Sequence, residues 1–283
     1  MPRRALGRSG VVVSAVGWST RVLAHPDESV SPADLVRAAL DADIDLFDSS
    51  PEGDTRYLLA RALGGSRRRV ALGARCVPVT GPAALVAPER CWRPEEVRLQ
   101  LEEALRHLQS DWVDLWLLQD PSEEALADDD LWARLAADRD AGWIRAVGVA
   151  VAGEDAARTA LEQGGIDALA LPMSLAEPEP GRALAADAAG QDVAVLVDNP
   201  LAGDAPDPYL LHGLVYPDTD RTPAQALLAG VLSFTGVSSL LTPAATPSEI
   251  GAHAGAAEMP LSEAETRSLA ARLDEARESQ REP

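Results

Sequence analysis

Apolar and polar positions alternate along this chain in two rhythms. Short, mostly apolar runs at 16–18, 44–47, 70–74, 113–118, 144–149, 166–171, 193–197 and 237–241 read as buried strands. Between them lie stretches in which apolar residues return at three- and four-residue spacing, which predicts helices at 31–42, 54–63, 94–108, 122–139, 153–163, 179–189, 223–232 and 247–257. Punctuation agrees with the periodicity. Ser31 is placed to cap its helix with Pro32 at the first helical position, Ser122 precedes Glu123 and Glu124, and Ser262 with Glu265 forms a capping box for a further helix at 262–278. Eight strand–helix units in succession predict one α/β domain over residues 1–283, a (β/α)8 TIM barrel with an extra C-terminal helix, and the segment 198–222 is expected to be a long loop. No Gly-x-Gly-x-x-Gly turn follows the first strand, which argues against a doubly wound sheet.

Composition narrows the partners. The 25 basic residues are all Arg, and 45 Asp and Glu bring the formal net charge to −20. Such a chain is repelled by nucleic acid and by anionic membrane, so neither is an expected partner. Apolar residues make up 46% of the chain, enough for a sizeable core. Two cysteines, Cys76 and Cys91, make neither a disulfide framework nor a zinc site, and a reducing cytoplasm is the expected setting. The early run 11–13 is soon interrupted by Ser14 and Gly17, a poor fit to a secretory signal, and nothing approaches a membrane span. The cluster Arg67-Arg68-Arg69 reads as a solvated loop, and Asp128-Asp129-Asp130 as a solvated helix face.

A barrel of this kind places chemistry at the C-terminal ends of its strands. That selects Asp48, Arg75, Gln119 and Asp198, with Glu52 just beyond Asp48. The bland alternative is a satisfied polar network that closes the barrel top. Cys76, next to Arg75 in its strand, should face the helix layer as a structural thiol, and Tyr57 reads as a surface or packing aromatic within a helix.

The chain resembles the aldo-keto reductases along nearly its whole length. The resemblance rests on RALGRSGVVVSAVGWST (4–20), FDSSPEGDTRYLLARAL (47–63), DWVDLWLLQDP (111–121), AGWIRAVGVA (141–150), NPLAGD (199–204), TPAQALLAGVLS (222–233) and PLSEAET (260–266). It implies a barrel whose N-terminal β-hairpin plugs the base. It also implies carbonyl reduction with a nicotinamide cofactor, in which a Tyr donates the proton, Lys and Asp tune it, and a His orients the carbonyl. Here the Asp is matched by Asp48, while Glu52 stands at the Tyr position, Arg75 at the Lys and Gln119 at the His. A carboxyl titrating near ~4 is a poor proton donor at neutrality, and a guanidinium stays charged and prefers to clamp a carboxylate, here Asp48 or Glu52. Positions that the resemblance assigns to the cofactor differ as well. Ala150-Val151 replace a Ser-Asn pair, Ala170 replaces a Gln, Asp198 falls where an aromatic ring stacks, and TPAATPSEIGAH (242–253) lacks a cation for a 2′-phosphate while carrying Glu249 and His253.

Three readings follow. The first is a redox-independent enzyme of isomerase, dehydratase or cyclase type in specialised metabolism, needing no cofactor. Asp48, Glu52, Arg75 and Gln119 would be catalytic, and Trp18, Asp198, Asn199, Tyr209 and His212 would line a pocket for a small-molecule substrate. The second is a non-catalytic pseudoenzyme that binds a ligand or a protein partner. The third is a divergent oxidoreductase that still uses NADPH.

Overall fold

The structure is a computed structural model that describes residues 1–25, 29–78, 92–201 and 221–281. Eight parallel strands close into a barrel: β3 (Val16–Ser19), β4 (Leu46–Ser49), β5 (Ala71–Cys76), β6 (Val113–Gln119), β7 (Ile144–Ala150), β8 (Ala168–Pro172), β9 (Ala194–Asp198) and β10 (Val237–Thr242), the last pairing with both β9 and β3. The α-helices are α1 (Pro32–Asp41), α2 (Thr55–Leu63), α3 (Pro94–Leu108), α4 (Glu123–Leu126), α5 (Asp129–Asp140), α6 (Glu154–Gln163), α7 (Gly181–Ala189), α8 (Pro223–Leu232), α9 (Pro247–Glu258) and α10 (Glu263–Arg281), with short 3-10 turns at Thr20–Ala24 and Gly64–Arg69. Among the described residues, no helix is long and apolar enough to cross a membrane.

An antiparallel hairpin, β1 (Arg3–Ala5) with β2 (Val12–Ser14), precedes the barrel and plugs its base. Leu6 and Val13 of this hairpin join Leu46, Ala71, Leu115, Leu117, Leu196 and Leu241 inside the barrel. Gly7 lets the hairpin turn seat against the barrel. Its φ is +54°, and a Cβ there would stand 2.2 Å from the Asp167 carbonyl oxygen. The outward residues of the strands, Trp18, Phe47, Trp116 and Val195 among them, pack under the helices in a second core.

A repeated device closes the base. Residues 44–46, 113–115 and 166–168 each place an Asp behind a β-branched residue at the start of a strand. The backbone N–H of Ser14 donates to Asp45 Oδ1 (2.6 Å), that of Leu72 to Asp114 Oδ2 (2.9 Å) and that of Val147 to Asp167 Oδ2 (2.9 Å). Each carboxylate thus occupies a neighbouring strand's buried donor, and each is in turn paired with arginine: Arg3 on Asp45, Arg67 and Arg145 on Asp114, and Arg139 on Asp167.

Two local expectations are corrected. The helix expected at 122–139 is two helices, α4 and α5, because the Asp128 side chain turns back to accept the N–H groups of Asp130 (2.9 Å) and Leu131 (3.4 Å) and so caps a new helix. Arg67 is not a solvated loop residue. It lies over the Trp112 ring at 4.3 Å and donates to Ser110 Oγ and to the Val70 and Trp112 carbonyls. The capping box of Ser262 and Glu265 forms as the pattern predicts.

Candidate active site

Strand register sets the mouth. Asp48 stands one residue before the end of β4 beside Ser19 of β3 and Gly73 of β5, Gln119 ends β6 beside Ala150 of β7, and Asp198 ends β9 beside Pro172 of β8. In the barrel order β9 lies across from β5, four strands away in either direction. Arg75 on β5 therefore has a neighbour on each side and one partner opposite. The small inward residues Gly73, Ala150 and Ala170 leave its long side chain room to cross.

Every N–H of the Arg75 guanidinium is used. Nε donates to Asp48 Oδ1 (3.2 Å) and Oδ2 (3.1 Å). Nη2 donates to Asp48 Oδ2 (2.9 Å) and Asp198 Oδ1 (2.8 Å), and Nη1 to Asp198 Oδ2 (2.9 Å) and Gln119 Oε1 (2.7 Å). A guanidinium has five N–H groups, so none is left for a ligand. The side chains of Arg75 and Asp48 are 6% and 5% exposed, while that of Asp198 is 24% exposed and meets solvent. Burial pulls the Arg75 pKa down, but the charges of Asp48 and Asp198 more than reverse this and hold it above its ordinary value. Within the clamp itself, two carboxylates share one guanidinium.

The clamp is supported from behind. Thr20 Oγ1 donates to the Asp48 carbonyl (3.1 Å) and accepts from the Ser50 N–H (3.2 Å), while Ser49 Oγ donates to the Gly73 carbonyl (2.7 Å). From α2, the buried Arg56 donates through Nη2 to the Arg75 carbonyl (2.7 Å). Burial lowers the Arg56 pKa, with Cys76, Glu103 and Asp48 pulling the other way. Gln119 is committed at both ends, its oxygen to Arg75 and its Nε2 to Asp120 Oδ2 (2.8 Å).

The structure brings together Asp48, Arg75, Gln119 and Asp198, and separates others. Glu52 is exposed on the turn into α2, and Arg75 clamps Asp198 in the place expected for it. Trp18 lies on the helix side of β3. Gly17 is the inward residue at this point of β3, so Trp18 points to the helix layer, fully buried, edge-on to Phe47 with centroids 5.6 Å apart and with Nε1 donating to the Ala244 carbonyl (2.9 Å). Asn199 is exposed at a left-handed φ of 52°. Tyr209 and His212 lie outside the described residues, as does Cys91. Cys76 is buried in the strand–helix core, and Tyr57 is 45% exposed with the Arg61 guanidinium 5.8 Å from its ring centroid. Two pairings carry no sequence signal: that of Arg56, beyond its helical position, and that of Asp198, which meets Arg75 only across the closed barrel.

The aldo/keto reductase family model matches residues 17–205. The chain belongs to the aldo/keto reductase family. Its fold is similar to that of a thermostable aldo-keto reductase solved with the inhibitor epalrestat (TM-score 0.80, 21% identity, covering 96% of this chain and 100% of that one). It is likewise similar to an aldo-keto reductase from Bacillus halodurans in its holo form (0.78, 20%, 96% and 96%) and to an aldose reductase from Schistosoma japonicum (0.75, 19%, 96% and 92%). No curated protein matches the chain.

At the positions that the resemblance assigns to a cofactor, Ala150, Val151 and Ala170 are buried and apolar. At the turn into α9, the Ala245 N–H already donates to Glu249 Oε2 (2.8 Å), and the Glu249 N–H to Thr246 Oγ1 (3.2 Å). A phosphate at that helix start would have to displace a carboxylate of its own sign. His253, one turn further along α9, is buried; burial lowers its pKa, opposed by Glu249. Among the described residues, no group of His, Cys, Asp and Glu is arranged to hold a metal ion.

Proposed function

We propose that this member of the aldo/keto reductase family does not reduce carbonyls with NADPH, and that its barrel mouth is a structural closure in a non-catalytic, ligand- or partner-binding protein. The observation that carries this reading is the saturation of Arg75. The residue at the place of a proton-tuning lysine spends all its donors on Asp48, Asp198 and Gln119. It has none with which to hold a substrate oxygen, and a guanidinium does not give up its proton near neutrality. The described residues do not fit the nucleotide. Two carboxylates already share the Arg75 guanidinium, Ala150, Val151 and Ala170 bring no side-chain donor, and Glu249 Oε2 already accepts from the Ala245 N–H. An anion brought within ~4 Å of that carboxylate meets a repulsion of about 1–4 kcal/mol, depending on exposure.

A second reading has one observation in its favour. Asp198 is the member of the cluster that reaches solvent, and a carboxylate there can move a proton in an isomerisation, dehydration or cyclisation without a redox cofactor.

Titration with NADPH and NADH, followed by nucleotide fluorescence and by melting temperature, tests the first reading. The expected result is no saturable binding and no aldehyde-dependent oxidation of either nucleotide. Low-micromolar binding with turnover would restore reduction. Any cofactor-free turnover that Asp198→Asn abolishes, in a variant with unchanged melting temperature, would transfer the assignment to the second reading.

A further inference from the structure

The opposite end of the barrel gathers arginines. A cavity of about 810 Å3 opens where the hairpin meets the starts of β5, β6 and β7. It is lined by Arg68, Arg69, Arg139 and Arg145 against only Asp45 and Asp114, in a chain whose net charge is −20. Both carboxylates are spent. Asp45 accepts the Ser14 N–H and pairs with Arg3, and Asp114 accepts the Leu72 N–H and pairs with Arg67 (3.1 Å) and Arg145 (2.8 Å). Two of the four lining cations are not spent, while Arg145 is taken by Asp114. Arg68 and Arg69 are exposed and have no hydrogen-bond or ion-pair partner among the described residues, and Arg139, though bound to Asp167 through Nη2 (2.7 Å), keeps a buried Nε without a partner. We propose that this basin is a binding site for a small molecule bearing a diphosphate group.

Charge, shape and size select that class. The four arginines come from the turn before β5, from the end of α5 and from β7, and so reach the cavity from different sides. A planar carboxylate takes one guanidinium fork in its plane, whereas tetrahedral phosphates present oxygens in several directions. Adjacent unpaired cations at Arg68 and Arg69 call for more than one negative charge. The cavity lies within the ~300–1,000 Å3 usual for small-molecule sites and exceeds what a lone phosphate fills. Val12, 51% exposed on the same wall, offers an apolar surface to the rest of the ligand. The acidic remainder of the protein does not prevent this, since charges beyond the ~8–10 Å screening length contribute little at physiological salt while the basin's guanidiniums are in contact.

Calorimetric titrations with ADP, inorganic pyrophosphate and citrate at matched ionic strength test the site. ADP and pyrophosphate are expected to bind once per chain, to raise the melting temperature, and to weaken as salt is added. Arg68 and Arg69 hold nothing else in place, so the double variant Arg68→Ala/Arg69→Ala should fold normally and bind both ligands at least about tenfold more weakly. Arg182→Ala, an exposed charge change on α7, should bind them like the wild type. Absence of saturable binding at millimolar ligand, equal affinity in the double variant, or tighter binding of citrate than of pyrophosphate would each overturn the assignment.

Discussion

Replacing Arg75 with Met probes the clamp most directly. The substitution keeps side-chain length and removes one buried cation from between two carboxylates. Asp48 is then left 5% exposed with its countercharge gone, while Asp198, 24% exposed, can turn to water. Breaking a buried pair from one side typically costs ~3–5 kcal/mol, and the partial rehydration of Asp198 places this case near the lower end, at about 3–4 kcal/mol. For a chain of this size that corresponds to a fall in melting temperature of roughly 5–7 °C. The variant also carries a pH signature. A carboxyl buried without a cation has a pKa raised above its unfolded value, so its penalty is present at neutral pH and fades as acid protonates it. Urea denaturation of wild type and Arg75→Met, at neutral and at acid pH, should therefore show a gap that narrows as pH falls. The triple change Asp48→Leu/Arg75→Met/Asp198→Asn, which removes the charges together, should recover most of the loss. A single variant within about 1 kcal/mol of wild type, with the same pH profile, would refute the claim that these charges hold the mouth shut.

Gly236 has a φ of +89° and would put a Cβ 1.9 Å from the Ala185 carbonyl oxygen, whereas Gly142 has a φ of +81° and open space around it. Gly236→Ala is accordingly expected to cost about 3 kcal/mol or more and Gly142→Ala about 1–2, by urea denaturation; equal costs would disprove the clash. Thr222 caps α8 by accepting the Gln225 N–H (3.2 Å), with Gln225 Oε1 returning to the Thr222 N–H (2.8 Å), so Thr222→Ala should lose about 1 kcal/mol and Thr222→Ser much less. Burial holds the His253 pKa below its ordinary 6.5, so the unfolded chain takes up a proton that the folded chain refuses and stability falls as pH drops below that value. His253→Gln should shrink the stability difference between about pH 7.5 and about pH 5.5, and an undiminished difference would show that the imidazole is not its source.

Strand order and most helix starts were legible because they rest on burial and on caps, both local in sequence. The strands nonetheless extend one or two residues further toward their C-termini than the apolar runs imply. Ser19, Ser49, Gln119, Asp198 and Thr242 continue the strands although their polarity suggests loops. These are residues of the mouth, so hydrophobic pattern is weakest where the candidate chemistry lies. The choice of partner for Arg75 was not legible. Asp48 is a strand neighbour, but Asp198 is 123 positions away and becomes a ligand of the guanidinium only because the barrel closes and because Ala150 and Ala170 are small enough to let the side chain cross. Glu52, nearer in sequence to Asp48, faces water instead. The base device is hidden in the sequence for a different reason. An Asp at the start of an apolar run looks like an ordinary turn residue until the neighbouring strand supplies the N–H that it receives.

The saturated guanidinium also decides how small-molecule screening data on this protein should be interpreted. A compound raises a melting point only by the free energy with which it prefers the native form. An additive gains little from Arg75, whose five N–H groups are already taken. Hits from a thermal-shift library should therefore be mapped first to the hairpin end of the molecule.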